Sequence, residues 1–112
     1  MANPEDQRVA RTESLFRDVN ERIAETAGRF LSHDAFFVCE CADAECTERV
    51  TATLDEYESV RGDGAQFLLA KGHELEEAER VVERHRRFNV VRKVKPAIRR
   101  VVERLNPRTR PL

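Results

Sequence analysis

Three cysteines and one histidine are the residues of this chain whose types and spacing are best suited to chemistry. Cys39, Cys41 and Cys46 are its only cysteines and lie within eight positions, and His73 follows a glycine that can turn the backbone. Three thiolates and an imidazole complete a tetrahedral ligand set, which is the usual composition of a structural zinc site. The sequence therefore predicts a zinc ion held by Cys39, Cys41, Cys46 and His73.

The spacing around the cysteines also predicts how the site is built. The single residue between Cys39 and Cys41 predicts a curl or turn there, since both thiols have to face one ion. Glu40 and Glu74 lie next to predicted ligands and are candidates for outer contacts that orient the imidazole.

Other groups can also supply the fourth ligand. His33 lies beside the predicted exit of a helix and His85 lies within an arginine-rich turn. Both are weaker candidates than His73, which a Gly-His turn presents after a strand. Water in the fourth position is the remaining alternative.

A closed set of four protein ligands favours a structural metal, because catalytic zinc keeps one position open. Three alternatives remain for the same residues. An iron–sulfur cluster accepts such ligation, and clustered thiolates can form a redox sensor that releases its metal on oxidation. The third is a nucleophilic cysteine, although the acidic neighbours Glu40, Asp43 and Glu45 predict a raised thiol pKa, which opposes it.

The composition indicates a small domain that needs a cross-link such as a metal ion to stabilise its fold. The chain has 112 residues, of which 37% are charged and 40% apolar, and it contains no Trp. Such a composition provides few large apolar side chains for a hydrophobic core. Its first residues lack the apolar run of a signal peptide, and no stretch approaches the roughly 20 apolar residues of a membrane span. These features predict a cytoplasmic protein, in which clustered cysteines stay reduced and bind metal more often than they form disulfides.

The net charge of −1 conceals a strong asymmetry along the chain. Residues 84–112 contain 11 Lys and Arg and one acidic residue, for a net charge of +10, and residues 1–83 carry −11. Such a basic segment predicts contact with nucleic acid or an acidic protein, with a membrane surface as the weakest candidate; alternatively, it folds onto the chain's own acidic surface. The predicted polyanion-binding residues are Arg84, Arg86, Arg87, Arg92, Lys93, Lys95, Arg99, Arg100 and Arg104.

Three segments are predicted along the chain. Residues 1–33 form an amphipathic helix that starts after Asn3, residues 34–94 form a small zinc-stapled α+β domain, and residues 95–112 form a basic helix and tail. The first helix carries a predicted buried stripe, which consists of Val9, Phe16, Val19, Ile23 and Phe30. This stripe packs either on its own domain or in a homodimer.

Changes in the spacing of apolar residues along the sequence predict where the remaining helices and strands lie. The predicted strands are 35–38, 49–54, 66–70, 79–84 and 88–94, with turns at 71–74 and 85–87. Asp55 is predicted to cap a short helix over 56–61, a helix with one apolar face follows Pro96, and residues 108–112 form a loose tail. The fold class that follows is α+β, with a small, mostly antiparallel sheet around the zinc site.

Four stretches together carry a resemblance to other proteins. They are residues 37–46 with the C-E-C-x₄-C run, residues 54–61, the Gly-His-Glu of 72–74, and residues 81–83. Across about residues 5–94, the chain resembles a group of small, uncharacterised actinobacterial proteins with these motifs and a similar N-terminal helix. The resemblance implies that the three cysteines and His73 belong to one site, and it implies no activity.

The function that these features favour is that of a binding or regulatory module. The sequence predicts a small cytoplasmic protein stabilised by zinc, whose basic C-terminal segment contacts nucleic acid or an acidic protein. The alternative is a metal-dependent or thiol-based enzyme, or a redox sensor, that uses the same cysteines. The pattern is compatible with a monomer and with a homodimer formed through the N-terminal helix.

Overall fold

The computed structural model describes residues 3–29 and 34–109. In chain order the elements are α1 (Pro4–Arg29), β1 (Asp34–Val38), β2 (Arg49–Thr53), α2 (Leu54–Val60), β3 (Gln66–Leu69), β4 (Glu79–Arg84), β5 (Asn89–Lys93), α3 (Pro96–Arg104) and a 3₁₀ turn at Pro107–Thr109. None of the helices in these two ranges has both the length and the apolar character that a membrane crossing needs.

The strands form two antiparallel sheets, which confirms the α+β class but divides the predicted sheet in two. β1 pairs with β2, and β5 lies between β3 and β4. The connection over residues 39–48 also joins the two sheets, because the Glu40 N–H donates to the Leu68 carbonyl at 2.9 Å. This connection contains all three cysteines, so the sheets meet beside the candidate site.

Side-chain caps determine where two of the helices begin. The Asn3 side chain accepts a hydrogen bond from the Asp6 N–H at 2.7 Å, and the predicted start of α1 is confirmed. The predicted cap of the short helix was wrong, since Thr53 rather than Asp55 precedes α2. The Thr53 hydroxyl accepts from the Glu56 N–H at 3.0 Å, and the Glu56 carboxylate accepts from the Thr53 N–H at 2.8 Å. This reciprocal pair satisfies two backbone donors at once.

One buried core draws residues from all three predicted segments. α1 supplies Val9, the sheets supply Phe37, and α3 supplies Ile98, Val101 and Val102. The predicted apolar face of the C-terminal helix is therefore confirmed. Because α3 covers this core, deleting the basic segment would expose apolar side chains rather than remove an independent tail.

The buried face of α1 differs from the predicted apolar stripe. Val9 is buried, Phe16 and Ile23 are half-buried, and Val19 is 40% exposed, while Phe30 lies outside the described residues. The buried positions of the helix are Asp6, Val9, Ala10, Glu13, Ser14, Arg17, Asn20, Ala24 and Ala27. Its long polar side chains can face the interior because each finds a partner there.

Arg17 is the longest of these buried polar side chains. Its guanidinium donates to the Gly64 carbonyl at 2.8 Å and to the Val102 carbonyl at 2.7 Å, and it lies 4.7 Å from the centre of the Phe67 ring. These contacts tie α1 to β3 and to the end of α3.

Lys93 lies in the same interior, so its prediction as a polyanion-binding residue was wrong. Its side chain is fully buried, with Nζ 2.6 Å from the Glu13 carboxylate and in contact with the Glu79 carboxylate. Two carboxylates share this one ammonium, and burial raises the pKa of Glu13 to about 8. An ammonium enclosed in this way stabilises the fold and cannot reach a partner molecule.

Candidate metal centre

The four predicted ligands lie in two connections of the fold. Cys39 directly follows β1, Cys41 starts a bend two residues later, and Cys46 lies three residues before β2. His73 lies in the turn after β3. The predicted strand over 35–38 is confirmed as β1 and leads directly into the first two thiols, and the turn after β3 brings the imidazole to them.

The ligand atoms converge on one point. The four residues each offer one ligand atom, and these atoms all lie within 4.8 Å of one another. Nδ1 of His73 lies 3.6 Å from Sγ of Cys39 and 3.6 Å from Sγ of Cys46. A tetrahedral ion with a bond of about 2.3 Å to sulfur and about 2.05 Å to nitrogen places those atoms about 3.6 Å apart. The set can therefore hold a metal ion.

The two equal contacts at one nitrogen favour a shared ion over a hydrogen bond. A neutral imidazole nitrogen carries at most one hydrogen, so Nδ1 of His73 cannot donate a full hydrogen bond to each of the two sulfur atoms. Both sulfur atoms nevertheless lie at the same distance from it. Equal distances follow directly if all three atoms bind one central ion.

Cys39 and Cys41 reach the same side through ordinary chain geometry. Residues two apart on extended backbone project to the same side, so both thiols can face one ion without a curl between them, and that prediction was wrong. The chain does bend, but from Cys41 onward, where the Cys46 N–H donates to the Asp43 carbonyl at 3.0 Å. The bend serves to bring the third thiol back toward the first two.

The site is enclosed on its inner side and open on the other. Cys39 and Cys41 are 1% and 3% exposed. Cys46 and His73 are half-buried. Two ligands are thus rooted in the core, while the other two lie at the surface, where an ion can enter.

The turn after β3 holds the imidazole in place. Gly72 has a φ of 88°, a left-handed conformation that favours glycine, and the His73 N–H donates to the Ala70 carbonyl at 3.2 Å. The Ala70 N–H in turn donates to Cys39 Sγ at 3.2 Å. A hydrogen bond of this kind stabilises a thiolate, so the turn supports two ligands at once.

Contacts among the thiols separate their pKa values. Hydrogen bonding between Cys39 and Cys41 raises the pKa of Cys39 and lowers the pKa of Cys41 to about 5. Burial raises the pKa of Cys46. The predicted rise is therefore wrong for the pKa of Cys41, because the hydrogen bond with Cys39 outweighs the effect of burial there. A coordinated thiol is deprotonated by the cation itself.

The two predicted outer carboxylates support backbone segments. Glu40 is fully buried, its carboxylate accepts from the Leu68 N–H at 2.9 Å, and burial raises its pKa to about 7. Glu74 accepts from the Gly72 N–H at 3.4 Å. Across residues 3–29 and 34–109, neither carboxylate forms a hydrogen bond to His73, so each acts on a segment that carries a ligand.

His85, the other histidine in the described part of the chain, does not join this set. His85 stacks on the Phe88 ring at 4.3 Å, and its Nε2 lies 2.8 Å from the Glu83 carboxylate. His33 lies outside the described residues. Of the two histidines within residues 3–29 and 34–109, His73 is the one that belongs to the cluster.

Two residues of α1 contact the cysteine connection, and the sequence analysis missed both. Arg8 donates to the Ala42 carbonyl at 3.1 Å. Asn20 is fully buried and bonds to the segment around Cys39. The position of Asn20 in the helical repeat could have indicated that it is buried. It lies four residues before the small residue Ala24 and therefore shares a helical face with it.

The basic residues predicted to bind polyanions do not gather on one surface. Residues 84–87 surround the β4–β5 turn, whereas α3 follows the other end of β5. Several form ion pairs within the chain, namely Arg87–Asp34 at 3.5 Å, Arg92–Asp63 at 2.8 Å, Lys95–Asp6 at 2.7 Å and Arg99–Glu103 at 3.2 Å. Four are exposed and form no direct ion pair in the described part of the chain, namely Arg84, Arg86, Arg100 and Arg104, although the charge of Arg84 helps to lower the pKa of Glu74.

The segment after α3 is also held by ion pairs. Arg108 bonds to the Glu21 carboxylate at 2.9 Å and to the Glu58 carboxylate at 2.6 Å, which connects it to α1 and α2. The predicted loose tail was therefore wrong for residues 108–109, which belong to a 3₁₀ turn, and residues 110–112 lie outside the described ranges. Much of the basic segment folds onto the chain's own acidic surface.

Comparisons with known proteins leave the site to be interpreted from its own geometry. No protein-family model, curated protein or solved structure that was compared matches this chain. The resemblance to small actinobacterial proteins stays a prediction.

Proposed function

We propose that this protein is a small binding or regulatory module whose fold is stabilised by a zinc ion. The observation that carries the proposal is the convergence of Cys39, Cys41, Cys46 and His73, with two sulfur–nitrogen distances of 3.6 Å. Three thiolates and one imidazole suit zinc by softness and by geometry. The ion would join the connection between β1 and β2 to the turn after β3, in addition to the hydrogen bonds that already link Glu40 and Cys39 to β3 and its turn.

The ligand set supports a structural role over a catalytic one. Four protein ligands fill a tetrahedral ion, so no position remains for a substrate or a reactive water. An iron–sulfur cluster spreads its ligands over two or more iron atoms, whereas these four ligand atoms all lie within 4.8 Å. We place the module in the cytoplasm, where reducing conditions keep such thiols available.

Metal content is the direct test of this proposal. We expect one zinc per chain by mass spectrometry of the untagged protein, and a loss of most of it in His73→Ala. With Co²⁺ in place of zinc, we expect the absorption bands of a tetrahedral thiolate site, and His73→Ala should alter them. His85→Ala is the matched control, because that histidine lies outside the cluster, and it should retain the metal.

Two results would contradict the zinc proposal. Folded wild-type protein without metal would leave three thiols and would support the thiol-based alternative. Equal metal loss in His73→Ala and His85→Ala would show that the imidazole of His73 is not a ligand.

We further propose that the partner of the module is a nucleic acid, contacted through the exposed arginines that the fold leaves unpaired. Arg100 and Arg104 lie one helical turn apart on α3, and both are exposed. Arginines presented this way can bind phosphates by charge. The internal ion pairs reduce the surface to four of the nine predicted residues, so the contact should be weak and sensitive to salt.

Charge reversal on α3 tests the nucleic-acid contact. With 20-bp duplex DNA as the probe, we expect Arg100→Glu/Arg104→Glu to lower affinity at least tenfold, because two phosphate contacts are lost. The slope of log K against log salt should become shallower by about 2. Arg11→Glu/Arg29→Glu, which changes the net charge equally on α1, is the control and should change affinity little. Unchanged binding by the α3 variant would exclude this surface and leave an acidic protein as the partner to test.

A further inference from the structure

Asn20 makes three hydrogen bonds to the segment that carries the first two thiols. Its amide nitrogen donates to the Val38 carbonyl at 2.8 Å and to the Glu40 carboxylate at 2.8 Å, and its amide oxygen accepts from the Val38 N–H at 2.8 Å. The side chain is fully buried. Val38 and Glu40 are the two neighbours of Cys39, so Asn20 fixes the chain on both sides of that ligand.

The hydrogen bonds continue from Asn20 through the site. The Glu40 carboxylate that accepts from Asn20 also accepts from the Leu68 N–H at 2.9 Å, and the Glu40 N–H donates to the Leu68 carbonyl at 2.9 Å. Two residues further along, the Ala70 N–H donates to Cys39 Sγ at 3.2 Å. This network links α1, the cysteine connection and β3 around one ligand.

We propose that Asn20 is a positioning residue for the metal centre, and that it couples metal affinity to the docking of α1. The proposal rests on the proposed function, since it requires that the cluster binds a metal. An amide that uses all its donors and acceptor on one short segment holds that segment in one conformation. The thiols are then already in position before the ion binds, so the segment that carries them loses less conformational entropy on binding.

Coupling of this kind acts in both directions. If docking of α1 through Asn20 strengthens metal binding, then the metal strengthens the docking of α1 by the same factor. Loss of the ion would loosen the contact between α1 and the cysteine connection. The regulation that this predicts is a change in the surface of α1 that depends on metal.

Metal affinity of an Asn20 variant is the primary test. We expect Asn20→Ala to weaken zinc binding about 10- to 100-fold, as losses of outer contacts do, in competition with a chromophoric chelator. Asn20→Asp should weaken it at least as much, because it loses both donors and places a carboxylate against Glu40. Glu21→Gln is the matched control, since Glu21 is the next residue of α1 but bonds to Arg61 and Arg108 instead. Its zinc affinity should stay within twofold of wild type.

The outcome separates positioning from a general loss of stability. If Asn20→Ala lowers the unfolding temperature but leaves the zinc affinity and the Co²⁺ spectrum unchanged, the proposal is overturned. Equal losses of affinity in Asn20→Ala and Glu21→Gln would overturn it as well. If the wild type binds no metal, the proposed function fails first, which distinguishes the two failures.

A measurement on the wild type avoids any dependence on variant folding. We expect amide hydrogen exchange in α1 around Asn20 to slow at least fivefold when zinc is added to the metal-free protein. Exchange at the N-terminal end of α3, which the network does not reach, should change less. Equal slowing in both helices, or none in α1, would contradict a specific link between Asn20 and the metal.

Discussion

Cys39→Ser is expected to remove the metal and with it most of the stability of this protein. Cys39 is buried in the core, and its Sγ is a candidate ligand that also accepts a backbone hydrogen bond from Ala70. Structural zinc in small peptide sites is worth about 10–16 kcal/mol. That is as large as the whole free energy of unfolding of a typical domain, about 5–15 kcal/mol. The small core of this chain therefore should not compensate for its loss.

Thermal unfolding with and without a chelator measures this effect. Wild-type protein should lose its cooperative transition, or unfold at a much lower temperature, when a strong chelator is added. Cys39→Ser should show the same low transition without the chelator and should not respond to it. A wild-type transition that is unchanged by complete metal removal would mean that the site does not stabilise the fold.

Lys93→Met is expected to destabilise the protein by about 3–5 kcal/mol, because it leaves the buried acidic pair Glu13 and Glu79 without its cation. Glu13 and Glu79 both contact Nζ of Lys93, and all three side chains are buried. Methionine has nearly the same length, so the change removes charge and leaves packing almost intact. The free energy of unfolding, from urea denaturation, should fall accordingly.

Lys95→Met is the matched control for the buried lysine. Lys95 lies two residues away and also pairs with an acidic residue of α1, Asp6, but 41% of its side chain is exposed. Solvent reaches the ammonium of this pair although the Asp6 side chain is buried, so the expected loss is smaller than for Lys93→Met, about 1 kcal/mol. The triple variant Lys93→Met/Glu13→Gln/Glu79→Gln should regain much of the lost stability, because no uncompensated charge remains. Equal losses in the two lysine variants would contradict this account of the interior.

The sequence allowed the candidate metal centre to be predicted because its signal is local and chemical. Cys39, Cys41 and Cys46 are crowded into one short run, and few uses suit such a run in a reduced chain. His73 was identified by its glycine turn, and the left-handed φ of Gly72 confirms that turn. The strands and α3 were also predictable, since their hydrophobic periods are short and mostly uninterrupted.

The face of α1 was not predictable in the same way. Its apolar residues suggested one buried stripe, yet the interior contains Glu13, Arg17 and Asn20. A polar side chain is buried only when its partner is in place, and these partners come from distant parts of the chain. Glu13 and Lys93, for example, are 80 residues apart.

The amino-acid sequence by itself determined the ligand types, their short spacing and the periods of the elements that carry them. The tertiary structure alone decided which charges became internal, so that Lys93 entered the core while Arg100 and Arg104 stayed exposed. It also decided that Asn20 would hold the chain on both sides of Cys39. The physical reason is that burial of a charge or an amide depends on a long-range partner, which no local pattern of residues records.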